Sequence, residues 1–270
     1  MDTLLSGEST CTLRYGNVLS PRRSESSALT AAIATLSNSR LSDTGYRLPM
    51  ELSEAMRTTF SCRQWTDEPV DDATIYRILD NARFAPNGGN RQGWHVTVVK
   101  DRSIREQFKP LIKPATNQYV AQVAAGESPW NTVIPSAIDL EAERSIDKEF
   151  PGVNEMIEAP AVLVISVDLS VVCSFDSILD RVGVISGASI YPFVWNILLA
   201  ARAEGLAGVL TTYLSYSEPE VQKLLGLPAH HAVAAMVPLG HPVKQLTKLK
   251  RNPVEDFATV DRFDGAPFTA

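Results

Sequence analysis

Leu52, Ala55, Met56 and Thr59 recur at helical spacing and predict a short first helix from about Pro49 into Thr59. A second helix is predicted after Asp71 or Asp72, either of which can cap it, with Ile75, Ile78, Leu79 and Ala82 as its apolar face and an end at Pro86. The β-branched, alternating run His95-Val96-Thr97-Val98-Val99, led in by Trp94, reads as a strand. A moderately amphipathic helix follows from Ser103 to about Gln122, interrupted by Pro110 and Pro114. Residues 127–159 carry Pro129, Trp130, Pro135 and Pro151 and show no steady period. A long irregular segment in a compact domain is often a lid or binding loop, so it is a candidate for substrate contacts.

Beyond it the pattern sharpens. Ala161 to Val167 is a near-continuous apolar run, as in a central buried strand. Val182 to Ala201 reads as one long helix buried on all sides, ending near Glu204-Gly205, whose Gly183-x-x-x-Gly187 spacing would admit another helix closely. Leu206 to Tyr213 predicts a strand closing on Thr211-Thr212. Ser217-Glu218-Pro219-Glu220 is a capping-box pattern opening a helix through Leu224 and Leu225. His231 to Leu239 returns as a strand, and Gly240-His241-Pro242 turns the chain. Helices and strands alternate without the spacing of a doubly wound parallel sheet, which favours an α+β sheet flanked by helices.

Charge narrows the partners. A net charge of -6 and a pI near 5.3 repel polyanions, so neither nucleic acid nor an anionic membrane is an expected partner. The uncharged stretch from Val182 is long enough to span a bilayer, yet its Gly183, Ser186, Gly187, Ser189, Pro192 and Asn196 fit a buried helix better. Three widely spaced cysteines without a C-x-x-C pair suit a reducing, cytoplasmic setting. Residues 1–49 are rich in Ser, Thr and Ala and form an expected disordered or weakly helical extension, leaving 50–270 as one catalytic domain.

Chemistry is sparse. No G-x-G-x-x-G follows a strand, no G-x-x-x-x-G-K-[ST] occurs, and there is no G-x-S-x-G elbow. His95, His230, His231 and His241 show no metal-ligand spacing; the pair His230-His231 reads as a solvated strand entrance lacking a third ligand. A chain with a pocket but no evident nucleophile, base or metal points to a borrowed cofactor. The stretch Ala85-Pro86-Asn87-Gly88-Gly89-Asn90-Arg91-Gln92-Gly93-Trp94 is either an ordinary turn or a bed for a polar heteroaromatic ring, since Asn87, Asn90 and Gln92 place amides beside two glycines. Ser61, Arg63, Thr211, Thr212 and Arg251 offer hydroxyl and guanidinium groups suited to a phosphate.

These pieces resemble the FMN-dependent nitroreductase family. The likeness covers nearly all of Met50 to Asp264, through Ser61-Cys62-Arg63-Gln64-Trp65-Thr66-Asp67-Glu68-Pro69-Val70, the Ala85 to Trp94 stretch, Gly187-Ala188-Ser189-Ile190-Tyr191-Pro192, Gly205-Leu206 with Thr211-Thr212, and Pro238-Leu239-Gly240-His241-Pro242. It implies a nitroreductase-like fold, with a central, mostly antiparallel sheet, and an intertwined homodimer holding two FMN at the subunit interface, the long buried helix forming much of the contact. Ser61, Arg63 and Arg251 would hold the phosphate, with Lys250 as a helper. Asn90 and Gln92 would address the ring's polar edge or ribityl chain, and Pro86 and Asn87 would shape the loop beside it. Ser189, Tyr191 and Pro192 would wall one flavin face, and Thr211 and Thr212 would border the ring from the sheet. The implied activity is hydride transfer from NADH or NADPH through the flavin to a nitroaromatic, quinone or other electron-poor molecule. The alternative is a flavin-binding or flavin-remodelling protein without nicotinamide-driven turnover. The family often has arginine where Thr59 or Phe60 stands, serine at Asn87 and proline at Gly93.

Overall fold

The computed structural model describes residues 50–148, 150 and 152–270; the extension expected over 1–49 lies outside them. Helix α1 spans Leu52–Thr58, and α2 spans Asp72–Ala82, where the Asp71 carboxylate accepts the Thr74 amide at 2.6 Å. That bond satisfies one of the amides a helix start leaves over. The helix stops at Ala82, before the expected Pro86, and strand β1 (Trp94–Val98) follows the loop.

Helix α3 runs unbroken from Arg102 to Ala124 through both prolines, where the sequence predicts an interruption. A proline inside a helix costs about 3 kcal/mol. Phe108 and Ile112, fully buried on its inner face, each contribute about 1.5–3 kcal/mol, and Pro110 lies exposed. The aperiodic 127–159 region holds two short helices, α4 (Leu140–Ser145) and α5 (Val153–Glu158).

Strands β2 (Ala161–Asp168), β3 (Ala207–Gly208) and β4 (His231–Gly240) complete a four-stranded sheet of order β1-β2-β4-β3, antiparallel throughout. Alternation along β2 divides the core. Leu163, Ile165 and Val167 face one helical layer with Ile78, Phe193 and Ile197, while Val162 and Val164 face the other with Phe108, Ile112 and Met156. The pairing shifts between Ile165, opposite Ala235, and Ser166, opposite Val233, so Ala234 is the extra residue of a bulge and both Ala234 and Ala235 serve the first layer.

The long helix of the sequence reading is half as helical as expected. Helix α6 spans Tyr191–Ala203; before it, Ile185–Ser189 is a 3₁₀ turn and Val182 and Val184 are exposed. Gly183 and Gly187 therefore share no α-helical face, and a Cβ on Gly187 would meet the Tyr191 ring of its own chain at 3.0 Å. Helix α7 (Glu218–Leu225) starts where the sequence places it, but the capping box does not form. Ser217 Oγ donates to Leu111 O at 2.9 Å, and Glu218 Oε2 accepts the Val233 amide at 2.6 Å, so both side chains tie the helix to its neighbours. The strand expected over Leu206 to Tyr213 shrinks to β3 plus a bridge between Thr211 and Met236.

Candidate functional site

The segment 61–66 is laid across the end of the sheet. The Cys62 amide donates to Gly208 O at 3.0 Å, the Thr66 amide to His241 O at 2.9 Å, and the Trp65 indole N–H to Ala207 O at 2.8 Å. Extended backbone alternates its side chains, so Cys62 is buried while Ser61 and Arg63 face outward. Burial pushes the Cys62 thiol above its ordinary range, which suits a packing residue.

Arg63, Thr211 and Thr212 border one cavity of about 790 Å³. Thr211 is fixed by a reciprocal backbone pair with Met236 at 3.0 and 2.8 Å. Thr212 opens the 3₁₀ turn Tyr213–Ser217, its carbonyl accepting from Ser215. Much of the remaining wall is aromatic: Tyr119 from α3, Tyr213 and Tyr216 from the turn, and Trp130 from the loop after α3. Tyr119 meets Tyr213 edge-on at 6.2 Å, and Trp130 meets Tyr216 at 5.7 Å. Burial raises the Tyr213 phenol above its ordinary value, so it stays protonated as a donor near neutral pH.

Trp130 is held firmly. Its indole N–H donates to Ala115 O at 3.2 Å, its amide to Gln122 Oε1 at 3.1 Å, and its φ of 56° is left-handed. Beneath it the Glu127 carboxylate accepts from Ser136 Oγ, Gln122 Nε2 and the Ala137 amide; the Ser136 hydroxyl first, then that amide, holds it below the usual carboxylate range. Of the segment nominated for substrate contacts, Pro129, Trp130, Phe150, Gly152 and Met156 border the cavity.

The tandem-glycine loop forms a second cluster, and none of its residues borders that cavity. Asn87 Oδ1 accepts the Gln92 amide at 2.8 Å, and the Gly88 amide donates to Ser189 Oγ at 3.2 Å. Gly89, Asn90 and Gln92 all take left-handed φ, at 63°, 51° and 51°. The turn reading thus holds locally: Asn90 occupies a left-handed turn position, and the side chains of Asn87 and Ser189 organise the loop itself. Pro86 is exposed, and Pro192 sits in the first turn of α6. The Tyr191 hydroxyl donates to Ala234 O at 3.4 Å. Gly93 is required by close packing, since a Cβ there would meet Val171 Cγ2 at 2.8 Å. Arg251 joins neither cluster; its guanidinium donates to Lys250 O at 2.7 Å in an exposed tail.

Sequence reasoning left Tyr119, Tyr213 and Tyr216 out of the site and reached Trp130 only as part of the segment 127–159. Tyr213 and Tyr216 directly follow the threonine pair, and that spacing was the available signal. It also counted no third ligand for His230-His231. The fold brings the Asp168 carboxylate beside the pair, because Asp168 pairs with His231 across β2 and β4.

Comparison with known proteins agrees with this architecture. The sequence profile of the Nitroreductase family matches residues 56–241. A protein of Thermus thermophilus named NADH dehydrogenase is 30% identical over 203 residues, covering 72% of this chain and 88% of that protein. Human iodotyrosine deiodinase 1 is 25% identical over 209 residues, covering 76% of this chain and 66% of the human one. The Vibrio harveyi NADPH:FMN oxidoreductase, solved in complex with NAD+, shares the fold with a TM-score of 0.57 at 20% identity, over 79% of this chain and 78% of its own.

Proposed function

Since this chain belongs to the nitroreductase family, we propose that it is an FMN-dependent oxidoreductase. It takes hydride from NADH or NADPH and delivers reducing equivalents to an electron-poor small molecule, a nitroaromatic or a quinone, as a homodimer. The observation that carries this reading is the cavity bordered by Arg63, Thr211 and Thr212 at the sheet end. Its size and its mix of guanidinium, hydroxyl and aromatic groups suit a flavin mononucleotide.

In that assignment Arg63 and the Ser61 hydroxyl bind the phosphate, a fork of N–H donors being matched to phosphate oxygens. Thr211 and Thr212 border the ring. The bound flavin supplies the two-electron chemistry, for which the described side chains offer no substitute. Trp130 and Tyr216, which border the cavity, would shield the bound ring from water. The loop of Asn87, Gly88 and Ser189 lies apart from the cavity in one chain, which supports a site shared between protomers, each loop serving its partner's cavity. Arg251 would reach the phosphate by the same route.

The deiodinase relative supports a second reading, a flavoprotein of the same site that nicotinamide does not reduce. An absorption spectrum of the purified chain, mass identification of what denaturation releases, and anaerobic titration with NADH and NADPH separate the two. Bleaching of the flavin band by either donor is the expected result. A yellow protein that neither donor bleaches favours the second reading, and a colourless one that takes up no FMN removes both.

A further inference from the structure

The opposite end of the sheet gathers ligand chemistry that the flavin site does not use. Asp168, His230 and His231 bring one ligand atom each within 4.8 Å of one another. The cluster is built by the register: Asp168 at the end of β2 pairs with His231 at the start of β4, and the Leu169 amide donates to His230 O at 2.9 Å. Residues paired across an antiparallel ladder share a face, so the Asp168 and His231 side chains project together. His230 Nε2 lies 3.9 Å from Asp168 Oδ1.

Supporting contacts aim the groups. His231 Nδ1 lies 3.1 Å from the Oγ of Ser166, which is 1% exposed. In the tautomer that donates Nδ1–H to this hydroxyl, Nε2 keeps its lone pair for a ligand bond, the arrangement by which outer groups orient metal-binding imidazoles. Asp168 Oδ1 accepts from the Ser170 amide at 2.8 Å and the Ser170 hydroxyl at 2.6 Å, which fixes the carboxylate. The His95 ring stands edge-on to His231 at 6.3 Å, a further imidazole beside the group.

We propose that Asp168, His230 and His231 form a binding site for a divalent transition-metal ion of the zinc class. Two imidazoles and one carboxylate suit a borderline ion and disfavour magnesium or calcium, which take oxygen ligands. Bond lengths of about 2.0–2.2 Å place tetrahedral donors roughly 3.5 Å apart. Rotation of exposed His230 towards Asp168 closes the remaining gap. Three protein ligands leave one position for water or His95. The Asp168 amide also donates to Gly93 O at 2.7 Å, so the ion would clamp the ends of β2 and β4 beside the tandem-glycine loop.

The test uses the full-length, flavin-loaded chain stripped with a chelator and titrated with zinc chloride, followed by calorimetry, metal analysis after dialysis, and thermal melting. The expected result is one zinc per chain with a raised melting temperature, kept in His241→Ala and weakened by at least about tenfold in Asp168→Asn and in the solvent-facing variant His230→Ala. Circular dichroism and flavin content confirm that each variant is folded. Zinc uptake equal to the parent in both site variants, or no uptake by the parent, overturns the proposal.

Discussion

Arg63 is where the flavin reading is most exposed to test. A charge-assisted bond from its guanidinium to a phosphate gives an affinity loss of about tenfold or more in Arg63→Ala, with secondary structure unchanged, measured by flavin fluorescence titration. Retained affinity would take Arg63 out of the site. Asp176 makes a prediction about acid. Buried in the 3₁₀ turn Phe175–Ile178, it accepts the Val184 amide at 2.7 Å, Arg181 Nη1 at 2.8 Å and the Ile185 amide at 3.4 Å, and the Val184 amide foremost holds its carboxyl below the usual range. A carboxyl whose folded value lies below its unfolded one, about 3.9, stabilises the fold above that pH and loses the contribution as pH falls through the folded value. Urea unfolding should therefore show Asp176→Asn less stable than the parent from pH 5 to 8, with the difference shrinking below about pH 4. A gap that persists undiminished at pH 3 would contradict this.

Elements were legible where one physical signal dominated. Strand β2 announced itself by an apolar run that needs burial on both faces, and α2 by an apolar stripe behind an aspartate. The signal failed where two causes give one pattern. An uncharged stretch from Val182 reads as a buried helix, but Gly183, Ser186 and Gly187 cost helical stability, and the chain spends those residues in loop and 3₁₀ turn. The Ser217 pattern failed for a different reason: tertiary partners at Leu111 and Val233 outbid the local bonds. Strand β3 fell short because its pairing is carried by very few residues, and this makes it sensitive. A Cβ on Gly208 would stand 2.3 Å from Leu239 Cδ2 and 2.7 Å from the Pro238 carbonyl. Gly208→Ala should cost about 1–3 kcal/mol in urea unfolding. Because Gly208 O anchors the Cys62 amide, the variant should also loosen the segment that carries Arg63 and weaken flavin binding. Full stability would show that the strand end yields without strain.

Over the whole molecule, the α+β class followed from the alternation of elements and the antiparallel sheet from the family resemblance, whereas the strand order and the grouping of site residues did not. Of the phosphate candidates read from sequence, Arg63, Thr211 and Thr212 come together at one cavity, whereas Ser61 and Arg251 are not among the residues that border it. Tyr119 was not legible, and Trp130 only through its irregular segment, since they reach the cavity after α3 continues past its prolines and the Glu127 network holds the loop. The proposed homodimer draws on a surface the sequence named imprecisely. Tyr191 and Trp195 stand 42% and 41% exposed on α6, and Ile178, Val182 and Val184 in the segment preceding it are exposed too. A charge there should be incompatible with burial against a second copy. Light scattering of Trp195→Glu is expected to show monomers depleted of flavin; a flavin-loaded dimer would place the interface elsewhere.

Of the four tryptophans, the indole tethered to Ala115 stands against the aromatic cavity. Anchored there, it gives the chain a built-in optical gauge. Its emission should be quenched as a yellow ligand arrives, and exchanging Trp130 for phenylalanine should remove most of that quenching while the ligand still binds.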